Sequence, residues 1–332
     1  MENGFWGKLC PVRNKDSNGV KKPILAVAPM YDVTDTAFRQ IIVACGKPSV
    51  FFTEFVSVDG LLHPKSQKRL IKYFFQFEEI ERPIVAQIWG TDPQKFYEAA
   101  KIIKNLGFDG IDINMGCPDK AVIKAGAGAF LITVPRFAQD IIEATKEGAG
   151  KLPVSVKTRL GYDKNIIENW LPCLLEAEPA AITIHGRTMK QMSKAPADWD
   201  SIAKAAKMAK ETGILILGNG DVKNLDDAYK KTKKYGVDGI MVGRGVLGNP
   251  WFFNKDKNEL NITQKERFEI LQKHINLFEK YFDGLKNFHM LKKHIKSHIS
   301  GFDGAKEIRS ELMNAKSLDE LKSRLENFTK ID

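Results

Sequence analysis

Short apolar runs in this sequence repeatedly end in side chains that can do chemistry. Cys117 stands between Gly116 and Pro118, two residues that constrain the backbone, so its thiol can be held against a ligand. It could then act as nucleophile or general acid, according to its pKa; the plainer reading is a small buried hydrophobe. Lys157 interrupts the apolar run Val154–Thr158, a place where an ammonium would serve an anion or form a Schiff base. His185 could be a base, a phosphate donor or a metal ligand. The metal role lacks a second nearby histidine or a carboxylate cluster, so no metal site is expected. Two turns, Gly218-Asn219-Gly220-Asp221 and Gly243-Arg244-Gly245, are rich in glycine. Small residues there let backbone N–H groups approach phosphate oxygens, and Arg244 adds a charge-assisted donor. Glycines that merely tighten turns are the alternative. Two such turns with an arginine in one favour a phosphorylated cofactor or substrate.

Eight apolar runs carry these residues: Ile24–Ala28, Val50–Thr53, Ile84–Ile88, Gly110–Asn114, Val154–Thr158, Ala181–His185, Leu215–Gly218 and Gly239–Val242. They are near-continuous rather than alternating, as in parallel strands covered on both faces. Amphipathic stretches such as Pro93–Leu106, Arg136–Ala144 and Asp198–Lys210 lie between them. The expected fold is an α/β (β/α)8 TIM barrel, in which functional side chains gather at the C-terminal ends of the strands. A doubly wound open sheet is the alternative, but no GxGxxG follows the first run. After Trp251 a polar linker (Asn254–Asn261) leads into a purely helical pattern. Thr263-x-x-Glu266 reads as a capping box, a second helix carries Phe288, Leu291, Ile295, Ile299 and Phe302, and a third opens at Ser317. The expected division is a barrel over residues 1–252 and a small helical domain over 253–332.

The chain has 51 Lys and Arg against 41 Asp and Glu, so 51 − 41 = +10. Such a balance favours polyanionic partners, nucleic acid among them. Lys286–His298 holds four lysines, three histidines and no acid, which reads either as a solvated helix face or as a phosphate-backbone contact. The apolar runs are far shorter than the ~18–20 residues of a membrane span. Residues 1–22 show no apolar export core, and Cys10, Cys45, Cys117 and Cys173 form no CxxC pair. These features fit a reducing cytoplasm, with no membrane and no protein partner implied.

At its strand ends the chain resembles the flavin-dependent tRNA-dihydrouridine synthases. The matching segments run in order from Ala28-Pro-Met-Tyr-Asp-Val-Thr-Asp35 with Phe38-Arg39, through Gln87-Ile-Trp-Gly90 and Ile113-Asn-Met-Gly-Cys-Pro118, to Gly126-Ala-Gly-Ala129 and Val156-Lys-Thr-Arg-Leu-Gly161. They continue with His185-Gly-Arg-Thr188, Ala197-Asp-Trp199, Gly218-Asn-Gly-Asp221, Gly243-Arg244, Asn249-Pro-Trp251 and Gly304-Ala-Lys-Glu-Ile-Arg309. The resemblance implies FMN as cofactor, NAD(P)H as electron donor, tRNA as partner and substrate, and reduction of the uridine 5,6 double bond. It implies that Pro29, Met30 and Tyr31 line the flavin and that Gln87 and Lys157 meet its polar edge. His185, Asn219, Gly220, Asp221, Gly243 and Arg244 would hold its phosphate. Cys117 would be the proton donor, and Asn114, Arg159 and Arg187 would lie towards the substrate. Met192 and Ala195 depart from the Tyr and Gly that relatives often carry. An FMN barrel reductase acting on a small pyrimidine is the alternative, but it leaves the helical region and the +10 charge unexplained.

Overall fold

The structure is a computed structural model that describes residues 4–12, 14, 19, 22–257 and 261–329. Residues 258–260 of the expected linker, and much of the N-terminal segment read for an export signal, lie outside the described residues. Eight parallel strands form one sheet: β1 (Ile24–Val27), β2 (Phe51–Ser57), β3 (Ile84–Trp89), β4 (Gly110–Met115), β5 (Val154–Gly161), β6 (Ala181–Thr188), β7 (Leu215–Asn219) and β8 (Gly239–Val242). Sequential neighbours pair from β2 to β8, and β1 pairs with β8. A parallel bridge between Ala26 and Val50, with Val50 N–H donating to Leu25 O, joins β1 to the approach of β2. The expected TIM barrel is the observed fold. All eight expected strands are present; β2, β5 and β6 run three or four residues further than their apolar runs, through mixed segments that each include a charged residue, Glu54, Arg159 and Arg187.

Strands buried on both faces need two cores. The inner one holds Ile24, Ala26, Phe52, Val85, Leu217 and Met241 and is stoppered by Trp6 of α1 (Gly4–Leu9), which has no exposed surface. The outer core lies under the crossover helices α2 (Thr36–Cys45), α3 (Val58–Leu62), α4 (Pro64–Phe74), α5 (Pro93–Asn105), α6 (Lys120–Lys124), α7 (Pro135–Ala149), α8 (Ile167–Glu176), α9 (Trp199–Ala209) and α10 (Leu225–Tyr235). Local chemistry starts several of them. Asp35, Asp92, Asp198 and Asn224 accept backbone N–H bonds as N-caps, and Pro93 fills the first turn of α5 where no N–H is needed.

A short helix, α11 (Arg244–Gly248), follows β8, and then come α12 (Gln264–Phe282), α13 (Lys292–His298), α14 (Ala305–Met313) and α15 (Leu318–Thr329). The expected capping box of Thr263 and Glu266 is present, and Ser317 Oγ accepts from Glu320 N–H. The stretch expected as one helix from Phe288 to Phe302 is broken. A 3-10 turn covers Phe288–Met290, α13 ends at His298, and Gly304, with φ of 80°, opens α14. The lysine- and histidine-rich segment 286–298 is not one solvated face either. Lys286, His294 and His298 are buried, because they turn inward with Leu291, Ile295 and Ile299 onto α2 and α12. His274 Nδ1 lies 3.0 Å from His298 Nε2, and Phe38 of α2 stacks on His274. Burial holds all three imidazoles well below their usual pKa, so they are neutral core side chains.

Candidate active site

Parallel register brings the reactive side chains to one rim. Asn114 of β4 is level with Lys157 of β5, Arg159 with His185 of β6, and His185 with Asn219 of β7. They surround the C-terminal mouth of the barrel, where a cavity of about 690 Å³ opens, a size suited to a small ligand or cofactor. Its lining includes Pro29, Met30, Lys157, Arg159, His185, the Asn219–Asp221 turn, Gly243 and Arg244. Gln87, Asn114, Cys117, Arg187 and Tyr31 are not among the lining residues. Gly220 adopts φ of 124°, and a Cβ there would lie 2.8 Å from the Ala197 side chain, so the turn requires glycine. Asn219 donates to Met241 O at 2.8 Å and Trp199 Nε1 donates to Gly220 O at 3.0 Å, which fixes the turn from both sides.

Positive charge converges on this cavity. Burial, with Arg159 beside it, brings Lys157 down to about 8; burial and the charge of Arg187 bring Arg159 down to about 10. Burial and the surrounding cations drive His185 down to about 2, so its imidazole is neutral. Arg187 is buried and braced: its guanidinium bonds to Ala195 O and Asp221 and lies 3.4 Å from His185 Nε2. The Arg187 hydrogen bond holds the Asp221 carboxyl below the usual range, and Arg244 joins the same carboxylate at 3.1 Å. Burial and a neighbouring cation depress both Lys157 and Arg159, and an anion bound between them would relieve that strain.

A second network positions the cysteine. Asn114 Oδ1 accepts from both Gly116 N–H (3.1 Å) and Cys117 N–H (2.9 Å). Its Nδ2 donates to Gln87 Oε1 at 2.9 Å, and Gln87 Nε2 donates to Asp112 Oδ2 at 2.6 Å. Ser155 closes the chain on Asp112 Oδ1 at 2.6 Å. Cys117, partly buried, has its thiol pushed up by that burial, and therefore keeps its proton at neutral pH. That state suits a proton donor and not a nucleophile, which requires the thiolate. Arg159 Nε donates to Gly116 O at 2.6 Å and so ties the cysteine turn to the cavity wall.

The family model described as "Dihydrouridine synthase (Dus)" matches residues 26–331 of the chain. A "Probable tRNA-dihydrouridine synthase" of Staphylococcus aureus (strain COL) is 39% identical, over 99% of this chain and 96% of that one. The chain belongs to the dihydrouridine synthase family. A "Probable tRNA-dihydrouridine synthase 2" of Bacillus subtilis (strain 168) is likewise 39% identical, over 99% of this synthase and 97% of its own length. A solved complex of 2-naphthoyl-CoA reductase matches this synthase with a TM-score of 0.54 at 13% identity. It covers 76% of the synthase, which spans about half (52%) of that reductase, and the likeness is one of fold.

Two acids of the synthase were passed over in the sequence. Asp112 sits fully buried within β4, its pKa raised to about 6 by burial. Glu54 sits fully buried within β2 and receives Asp32 N–H at 2.6 Å, which holds the turn after β1. A charge inside an apolar run was the signal that singled out Lys157; it applies equally to Asp112 within Gly110–Asn114, while Glu54 stands one residue past the run Val50–Thr53 and is followed by Phe55 and Val56. Among the described residues no helix is long and apolar enough to cross a membrane.

Proposed function

We propose that this enzyme, a tRNA-dihydrouridine synthase by family, reduces the 5,6 double bond of uridines in tRNA with FMN as cofactor, NAD(P)H as electron donor and Cys117 as proton donor. The observation that carries the reading is the convergence of Lys157, Arg159, Arg187 and Arg244 about one cavity, with a protonated cysteine in the turn that follows β4. The residues fit the cofactor. The Asn219–Asp221 turn, Gly243 and Arg244 would take its phosphate, where glycines allow close backbone approach. Pro29 and Met30 would give it an apolar wall, and Lys157 would set a positive charge against its ring. A bound flavin supplies the hydride chemistry between nicotinamide and uracil.

The chain's own residues do the rest. Cys117 Sγ holds a proton at neutral pH and would deliver it to C5 of the uracil. Asn114 fixes the backbone that carries Sγ, and Gln87 and Asp112 fix Asn114. Neutral His185 can donate one hydrogen bond to an anionic oxygen without adding a fifth positive charge to the four cations around it. Arg159 ties the cysteine turn to the cavity and would meet the base there; Arg187 acts through Asp221 and His185. A paired uridine must leave its stack to enter, at a cost of a few kcal/mol. We assign residues 1–252 to cofactor and chemistry and 253–332 to tRNA. The test is Cys117→Ala: FMN binding should persist while reduction of unmodified tRNA is lost. Normal turnover by the variant would remove the proton-donor assignment.

A further inference from the structure

Tyr31 follows the cavity-lining Met30 by one Cα step of about 3.8 Å, yet it stands outside the cavity wall with 52% of its surface exposed. The ring is not loose. Its centroid lies 5.6 Å from that of Phe55 and 5.6 Å from that of Phe74, both tilted against it. The backbone beneath it is pinned: Asp32 adopts φ of 55°, and Val33 and Thr34 N–H both donate to Met30 O. A buttressed aromatic face beside a reaction cavity can stack a flat group at little entropic cost.

The surroundings say what kind of flat group. Phe74, behind the ring, ends α4, whose sequence has four cations and no acid. Lys65, Lys68, Arg69 and Lys72 recur at three- and four-residue spacing on one face and are all exposed. Among the described residues their side chains form no ion pair. The opposite face packs Leu70, Ile71 and Phe74 on the barrel. From the helical region, Lys293, 47% exposed, brings its Nζ to 3.7 Å from Asp32 Oδ2, next to Tyr31. An aromatic platform with basic side chains close by is the chemistry of a single-stranded nucleic-acid contact.

We propose that Tyr31 stacks the nucleobase adjoining the uridine to be reduced, and that the basic face of α4 carries the neighbouring phosphates. The proposal rests on the tRNA reading above and moves Tyr31 from the cofactor's wall to the substrate's path. The test uses the flavin-loaded full chain, an unmodified tRNA transcript at several salt concentrations, and FMN titration of the stripped protein. Tyr31→Ala should raise the tRNA Kd about tenfold with an unchanged salt slope, and Tyr31→Phe should restore it. FMN affinity should stay the same in both variants. Replacing Lys65, Lys68, Arg69 and Lys72 together by Gln should lower the salt slope by about 0.7 for each phosphate contact removed. An unchanged tRNA Kd in Tyr31→Ala, or FMN binding weakened by that change, would overturn the proposal. Failure of the parent protein to reduce any tRNA would instead overturn the reading on which it rests.

Discussion

Replacing Lys286 by methionine should destabilise the protein by about 3 kcal/mol at neutral pH, and by more as the pH rises. Lys286 follows α12, in the helical region, but its Nζ lies 2.9 Å from Glu54 Oε2 of β2 and 3.2 Å from Asp35 Oδ2, the cap of α2. The Lys286 and Glu54 side chains have no exposed surface, and Asp35 has 7%. Breaking a buried pair by removing one partner typically costs about 3–5 kcal/mol. The lower end applies because burial already pushes Glu54 up to about 7, so this carboxyl can neutralise itself by taking a proton. Methionine keeps most of the apolar stem but loses the cation held 4.4 Å from the ring centroids of Tyr73 and Phe282. A carboxyl with a raised folded pKa contributes stability below its unfolded value and loses it as pH rises through the folded one. In the parent protein that loss is complete a little above pH 7. Without the lysine's attraction Glu54 moves higher still, so the variant goes on losing up to ~1.4 kcal/mol per pH unit beyond that point. Urea unfolding of both proteins between about pH 6 and pH 9 measures the difference. A gap that stays flat above neutrality, or no gap at all, would refute the buried-pair argument.

Other outcomes follow from the same geometry. FMN affinity should fall as pH rises past about 8, by at most about tenfold per unit, as Lys157 loses its proton; Lys157→Met should weaken binding and flatten that profile. Titration of FMN fluorescence against pH checks both. Asn114→Leu removes the acceptor for Gly116 and Cys117 N–H, so FMN should still bind while turnover on tRNA drops about 100-fold, the scale of a 1 Å misplacement of a reacting group. Steady-state kinetics beside an FMN titration separate the two effects.

The barrel was legible because two-sided burial writes each strand as a continuous apolar run, and the site was legible because polar residues break those runs at one end. Thr263 and Ser317 announced their helices through local capping, which needs only neighbours in the chain. What could not be read was pairing across distance. Lys286 looked like one of four surface lysines, yet its partners lie 232 and 251 residues away. His294 and His298 looked like a helix face, but their environment is set by His274 and Phe38 on two other helices. Gln87 and Asn114 carried the right residue types for ligand contacts; that they also bond to each other across β3 and β4 depends on strand register, which apolar runs do not specify.

The central claim, that the cation-lined cavity holds a flavin serving tRNA reduction beside Cys117, is tested most directly by visible absorbance under anaerobic conditions. The purified protein should show a flavin band near ~450 nm that bleaches with reduced nicotinamide and recovers on adding unmodified tRNA. A protein that stays colourless after incubation with FMN, or whose bleached flavin is indifferent to tRNA, would contradict it.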